Sequence, residues 1–264
     1  MERHQTPDGT AIAYEIHGEG PAVLLLHGLG SRAADWADHL PVLTPRRRCI
    51  AVDMRGHGSS DQPPGPYTPT LHADDAVSLL DGLGVEQADV IGYSMGGAAA
   101  FDMAAHHPTR VRSLCIVNSV PSFELKTFKN KMEIAVRRTV ISLFGVERLA
   151  GLVAKRLFPK PDQQALRDRA IDSIKRNSKE AYIASLMGLA GWTIEDELGG
   201  IAVPTLLVAA DQDYTPVAHK QTAVDVMQDA RLIVVEDARH GMPLEKVEEF
   251  NGILAEWLDG LAVP

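Results

Sequence analysis

The sequence predicts an α/β fold, a parallel β-sheet covered by helices on both faces. Short unbroken apolar runs, such as Ala22–Leu26, stop abruptly in loops bearing Gly, Asn or Asp, as strands buried on both faces do. Amphipathic stretches of helical period alternate with these runs, the arrangement that strand-helix-strand crossovers produce. The chain has 264 residues, 45% of them hydrophobic and 23% charged, which is ordinary globular composition and enough for one large core.

The elements follow in order. The run at 22–26 leads into His27-Gly28-Leu29-Gly30, and the run at 49–53 into Met54-Arg55-Gly56-His57-Gly58. Between them and the next strand, Val77, Leu79, Leu80 and Leu83 give 71–83 the apolar face of a helix. Val90-Ile91 stops at Gly92, and an alanine-rich helix follows, closed at His106-His107 by Pro108. Further strands are expected at 114–117, 205–209 and 232–235. A terminal helix over 247–258 carries Val247, Phe250, Ile253, Leu254, Trp257 and Leu258 on one face. Cys49 and Cys115 sit inside apolar runs and read as small buried hydrophobes. The Pro63-Pro64-Gly65-Pro66 cluster reads as a surface loop.

Between about 122 and 198 the buried-strand runs vanish and charged helical patterns, 131–144 and 162–176, replace them. This stretch has 14 Lys and Arg against 10 Asp and Glu, within a chain of net charge −9. A helical cap over 122–198, inserted into a core formed by 1–121 and 199–264, explains both changes. Its basic residues read first as solvated helix faces and second as an attractor for acidic substrates. Phe123, Phe128, Phe144, Phe158, Met187 and Trp192 are candidates either to line an acyl or alcohol pocket or to pack helix on helix.

Composition also narrows the function. An acidic chain has no surplus of Lys and Arg to neutralise nucleic acid or an anionic membrane, so neither is an expected partner. The longest apolar stretches, such as 201–210, fall short of a spanning helix, and the first residues lack the basic-then-apolar order of a secretory leader. A cytoplasmic protein is expected. Neither C-x-x-C nor H-E-x-x-H occurs, so no metal site is expected.

The chemistry centres on Gly92-Tyr93-Ser94-Met95-Gly96-Gly97, a G-x-S-x-G between a buried strand and a helix. A strand-to-helix turn this sharp strains its central residue, and its flanks must lack side chains for the two elements to approach. Ser94 is thereby lifted to a helix N-terminus, where developing negative charge is favoured. A serine is a weak nucleophile without a base, itself oriented by a carboxylate. His240, after the apolar run 232–235 and before Gly241, is the best-placed base; His27 and His57 precede the serine and have their own explanation in glycine turns. Asp211 and Asp213 compete for the acid. Asp213 lies deeper in its loop, while Asp211 sits where an Asx residue commonly closes a strand, so Asp213 is preferred. The oxyanion donors are expected to be the backbone N–H groups of Met95 and of Leu29 in the early glycine loop.

Together His27-Gly28-Leu29-Gly30, Asp53-Met-Arg-Gly-His-Gly-Ser59, the elbow at Ser94, Ala210-Asp-Gln-Asp213 and Arg239-His240-Gly241 resemble the α/β-hydrolase superfamily, in family order and over nearly the whole chain. The resemblance implies an α/β-hydrolase fold with a mostly parallel eight-stranded sheet, a helical cap after the sixth strand, a Ser94, Asp213, His240 triad and an oxyanion hole at Leu29 and Met95. The acid loop departs from the family, with Ala210 where Gly is common and Pro216 only three residues after Asp213, which keeps Asp211 open. A serine at the elbow disfavours the aspartate mechanism of haloalkane dehalogenases and epoxide hydrolases. The expected activity is cofactor-free hydrolysis of small to medium carboxylic esters. A lactonase, a thioesterase, a hydrolase of carbon–carbon bonds and a receptor-like ligand binder are the alternatives. The sequence leaves the oligomeric state open.

Overall fold

The computed structural model describes residues 1–261, with Lys129 and Asn130 described by backbone alone, so the last three positions of the 199–264 segment lie outside the described residues. The strands are β1 (Glu2–Gln5), β2 (Ala11–His17), β3 (Ala22–Leu26), β4 (Arg48–Asp53), β5 (Ala88–Tyr93), β6 (Val111–Val117), β7 (Thr205–Ala210) and β8 (Ala230–Val235). They form one eight-stranded sheet in the order β1-β2-β4-β3-β5-β6-β7-β8. The β1-β2 and β2-β4 pairs are antiparallel; from β4 to β8 every pair is parallel.

The helices are α1 (Leu40–Leu43), α2 (Pro69–Gly82), α3 (Met95–His106), α4 (Phe128–Leu157), α5 (Gln164–Lys175), α6 (Lys179–Leu189), α7 (Val217–Val226), α8 (Met242–Glu245) and α9 (Val247–Asp259). Successive strand residues feed opposite cores. Leu24, Leu26, Ile50, Val52 and Val90 pack with Leu79 and Leu80 of α2 and Phe101 of α3. Val23, Leu25, Cys49, Ala51 and Ile91 pack on the other face with Phe250, Leu254 and Trp257 of α9. Each such Leu, fully removed from water, stabilises the sheet by roughly 1.5–3 kcal/mol. Both cysteines are buried and free. Helix α2 begins two residues before the expected position because Thr68 caps it, accepting the Leu71 N–H at 3.1 Å, and Pro69 fills the first turn.

Helices α4 to α6 lie between β6 and β7. Helix α4 is broken at Gly145, whose φ of 78° and ψ of 172° are not helical. An antiparallel bridge between Ser122 and Thr193, with Ile194 N–H donating to Pro121 O at 2.9 Å, draws the two ends of this segment together. Its own apolar cluster holds Ile141, Leu149, Ile174 and Tyr182. The segment is tied to the loop after β3: Asn177 Nδ2 donates to Gly30 O at 3.2 Å, Ser173 Oγ to Asp35 at 2.9 Å, and Arg169 pairs with Asp38. Among the described residues no helix is long and apolar enough to cross a membrane, and no three His, Cys, Asp or Glu side chains cluster as a metal ion would need.

Candidate active site

Strand β5 ends at Tyr93 and α3 starts at Met95, so Ser94 alone makes the turn, with φ 53° and ψ −112°. That strain is held in place by packing. A Cβ on Gly92 would stand 2.3 Å from Gly96 O, one on Gly96 2.2 Å from Leu26 O, and one on Gly97 2.5 Å from Ser119 Cβ, so all three positions admit only glycine without a shift. Ser94 N–H donates to Val117 O at 2.9 Å, and Ser119 Oγ donates to Ser94 O at 2.7 Å, fixing the turn against β6.

The loops after β7 and β8 bring the remaining groups to this serine. His240 Nε2 lies 2.9 Å from Ser94 Oγ, and His240 Nδ1 lies 2.8 Å from Asp213 Oδ1. An ionised carboxylate only accepts, so the proton sits on Nδ1 and Nε2 is left to accept from the serine hydroxyl. Burial works against the charge on Asp213, but His240, Lys220 and Thr215 outweigh it and hold the carboxyl well below the usual range. Asp211 goes elsewhere: it is exposed and accepts the Ala238 N–H at 3.0 Å, the turn-closing task of an Asx residue. His27 and His57 are buried in the core. His27 Nε2 accepts the Met54 N–H at 3.0 Å and His57 Nδ1 meets Arg55 O at 3.1 Å, so both brace loops.

Several groups here escaped the sequence reading. Lys220 is fully buried, with Nζ 3.1 Å from Asp213 Oδ2, 2.6 Å from Thr215 O and 2.7 Å from Thr215 Oγ1. Thr215 Oγ1 also donates to Asp213 Oδ2. Burial presses the Lys220 pKa below the usual lysine value, and Asp213 opposes that. The available signal was periodicity, since Lys220 stands three residues from both Val217 and Ala223, on the core side of α7. Asn118, at φ 46°, joins three strand ends: its Oδ1 accepts the Ala210 N–H at 2.8 Å, and its Nδ2 donates to His240 O at 3.0 Å. Tyr93 Oη donates to that same carbonyl at 2.9 Å. The Tyr214 ring packs on His240, centroids 4.1 Å apart.

Ser94 and His240 open into a cavity of about 1000 Å³ between the sheet edge and α4 to α6. Leu29 lines it, in a loop so close to the serine that a Cβ on Gly28 would stand 3.3 Å from Ser94 Cβ. Met95 is buried beneath, and as the first residue of α3 its N–H is one of the donors a helix leaves unpaired. Of the six candidate lining residues, Phe123 and Phe158 line the cavity. Phe128 and Phe144 instead face solvent, 77% and 66% exposed, and Met187 is exposed as well. Trp192 packs on the core and donates Nε1–H to Asp102 at 2.8 Å. Amphipathic helices in this segment put large apolar groups on both faces, which is why residue type alone did not sort them.

Known proteins share this architecture. The chain is 31% identical over 257 residues to the Putative carbamate hydrolase RutD of Azorhizobium caulinodans, covering 92% of this chain and 93% of the relative. Its structure is similar to that of the enol-lactonase from Burkholderia xenovorans LB400, at TM-score 0.90 and 25% identity, over 98% of this chain and all of the other. It is similar also to an esterase from Exiguobacterium antarcticum, at TM-score 0.91 and 25% identity, over 98% and 99% of the two chains. The sequence family described as alpha/beta hydrolase fold matches residues 21–247, and with this sheet order and this serine elbow the chain belongs to that family and is a hydrolase.

Proposed function

We propose that the chain is a serine hydrolase that cleaves small to medium carboxylic esters through an acyl-enzyme. What supports this is one observation above all: Ser94, His240 and Asp213 stand in a hydrogen-bonded line at the floor of a cavity of about 1000 Å³. In this scheme His240 Nε2 takes the Ser94 proton as Oγ attacks the ester carbonyl. The oxyanion is received by the N–H groups of Leu29 and Met95. His240 then returns the proton to the departing alcohol. A water molecule, deprotonated by the same nitrogen, attacks the acyl-enzyme and releases the acid, so one ester and one water give one alcohol and one acid. Asp213 keeps the imidazole in the tautomer that both steps require and stabilises its charged form. Segment 122–198 serves as the cap that roofs the cavity and sets which acyl group enters.

A lactone is the second reading, favoured by the name of the Burkholderia xenovorans structure, an enol-lactonase. It uses the same residues, with the leaving alcohol still attached to the acyl group. The test is hydrolysis of para-nitrophenyl esters of increasing chain length, with a lactone and an acyl thioester alongside, by wild type and Ser94→Ala. Turnover that falls at least about a thousandfold in Ser94→Ala, with the melting temperature nearly unchanged, is expected. Activity retained by Ser94→Ala would overturn the mechanism.

A further inference from the structure

One corner of the cavity carries more positive charge than its neighbours neutralise. Glu133 and Arg137, on the first half of α4, meet Arg156 of the second half because the break at Gly145 turns the helix back on itself. A single oxygen, Glu133 Oε1, receives both guanidiniums, from Arg137 Nη2 at 2.8 Å and Arg156 Nη1 at 2.7 Å. Burial resists the Glu133 charge, but the two cations outweigh it and hold its carboxyl below the usual range. One carboxylate between two guanidiniums leaves a net positive corner. Each guanidinium spends one nitrogen on Glu133, out of five N–H donors in a planar fork.

All three side chains line the cavity that contains Ser94 and His240. The corner also adjoins the reacting groups, since the Tyr214 ring that packs on His240 carries Arg156 over its face, 4.6 Å from the centroid. Arg137 is withdrawn from solvent, its side chain 20% exposed, beside the Tyr182 and Tyr214 rings. Elsewhere on the wall the charges are matched or negative: Lys126 meets Glu124 and Glu195, and Asp35 accepts from Ser31 and Ser173. A guanidinium held in a low-dielectric cavity wall is the group that recognises a carboxylate, through paired and charge-assisted hydrogen bonds.

We propose that Arg137 and Arg156 form a carboxylate-binding corner of the substrate cavity, so that the substrate is an ester or lactone whose acyl part carries a second, free carboxylate. This rests on the ester-hydrolase function proposed above and narrows its substrate class. The free carboxylate lodges on the forks while the acyl chain runs down to Ser94, which separates acid-bearing substrates from neutral ones of the same length.

The test compares two esters with the same five-carbon acyl chain, mono-para-nitrophenyl glutarate and para-nitrophenyl pentanoate, which differ by a carboxylate in place of the terminal methyl group. Wild type should favour the glutarate in kcat/KM by at least about tenfold, chiefly through KM, and R137Q/R156Q should lose that preference by a similar factor. A wild-type preference at or below unity, or one that survives in the double variant, overturns the proposal. If neither ester turns over, it is the ester-hydrolase function that fails, and titration calorimetry with glutarate itself then decides the corner. Binding to wild type that the double variant loses sustains it, and no binding overturns it.

Discussion

Replacing Lys220 by Met should move the acidic limb of the kcat/KM profile to higher pH. The ammonium is fully buried, 3.1 Å from the Asp213 oxygen that does not touch His240, so it sits behind the acid and opposes a positive imidazole in front of it. Two unit charges roughly 7 Å apart at an effective dielectric constant near 20 interact by about 2 kcal/mol. An interaction of that size is equivalent to between about one and two pH units, at about 1.4 kcal/mol per unit. The sign follows from the charge removed: Lys220 is one of the groups that hold Asp213 below the usual carboxylate range, so its loss shifts the hydrogen-bonded acid–base pair toward the protonated side, and activity falls off at a higher pH. The other groups facing His240, namely Ser94, Tyr93, Tyr214 and the Arg156 over Tyr214, are unchanged by the substitution. Met keeps most of the buried stem, and Thr215 still donates to Asp213, so the loop retains an anchor. The measurement is kcat/KM for one neutral ester across the acidic range, with thermal melts of both proteins as a control on folding. A limb that stays in place, or moves to lower pH, in a protein that melts normally would refute the electrostatic role and leave Lys220 a structural tie.

Two further outcomes are expected. Asp213→Asn should lower kcat about ten-thousandfold, because an amide facing Nδ1 no longer enforces the required tautomer. Asp211→Asn should stay within about twofold, since an Asn carbonyl still accepts the Ala238 N–H; equal small losses measured on the same ester would place the acid elsewhere. The second concerns acid stability. His72 is fully buried with neither ring nitrogen hydrogen-bonded among the described residues, and burial, with His27 and Arg55 nearby, pushes its pKa from 6.5 down to about 3. A depressed folded value means stability that is complete above pH 6.5 and is lost as pH falls from there toward 3, on the order of 4 kcal/mol at the lower end. Urea midpoints should fall across that window in wild type and less steeply in His72→Leu, and identical slopes would show that His72 is not the group being charged.

Legibility varied with how local the determining physics is. Strands β3 to β7 are visible as apolar runs because both of their faces are buried, the edge strand β8 by its run Leu232-Ile233-Val234-Val235 although it is only partly buried, and Ser94 and its glycines because the turn is sterically unique. The antiparallel edge is different. Strand β1 is mostly exposed and pairs only with β2, so Glu2-Arg3-His4-Gln5 carries no apolar pattern, and only the family resemblance supplied the two extra strands. At the site, His240 and Asp213 stand beside recognisable strand ends. Asn118 and Tyr214 act through contacts between loops far apart in sequence, and Lys220 through a buried ammonium that turns back onto the loop before its own helix, where residue type says little. The separation of Asp213 from Asp211 is of the same kind, since one faces His240 and the other Ala238 in loops that look alike as text.

Every group that holds the reacting atoms in line comes from the carboxyl edge of the sheet. Asn118 follows β6, Asp213 and Thr215 follow β7, Lys220 belongs to α7, and His240 follows β8. None of them lies in the 122–198 segment, which touches this machinery where Arg156 covers Tyr214. In the function proposed above, bond breaking is therefore written in stretches of the gene outside 122–198, and substrate choice is shared between that segment and the core residues that also line the cavity. Within the proposed function, variation at cavity-facing positions of α4 to α6, leaving Asn177 and Ser173 to hold the loop that carries Leu29, retunes what enters the cavity while the Ser94, His240 and Asp213 hydrogen bonds stay intact.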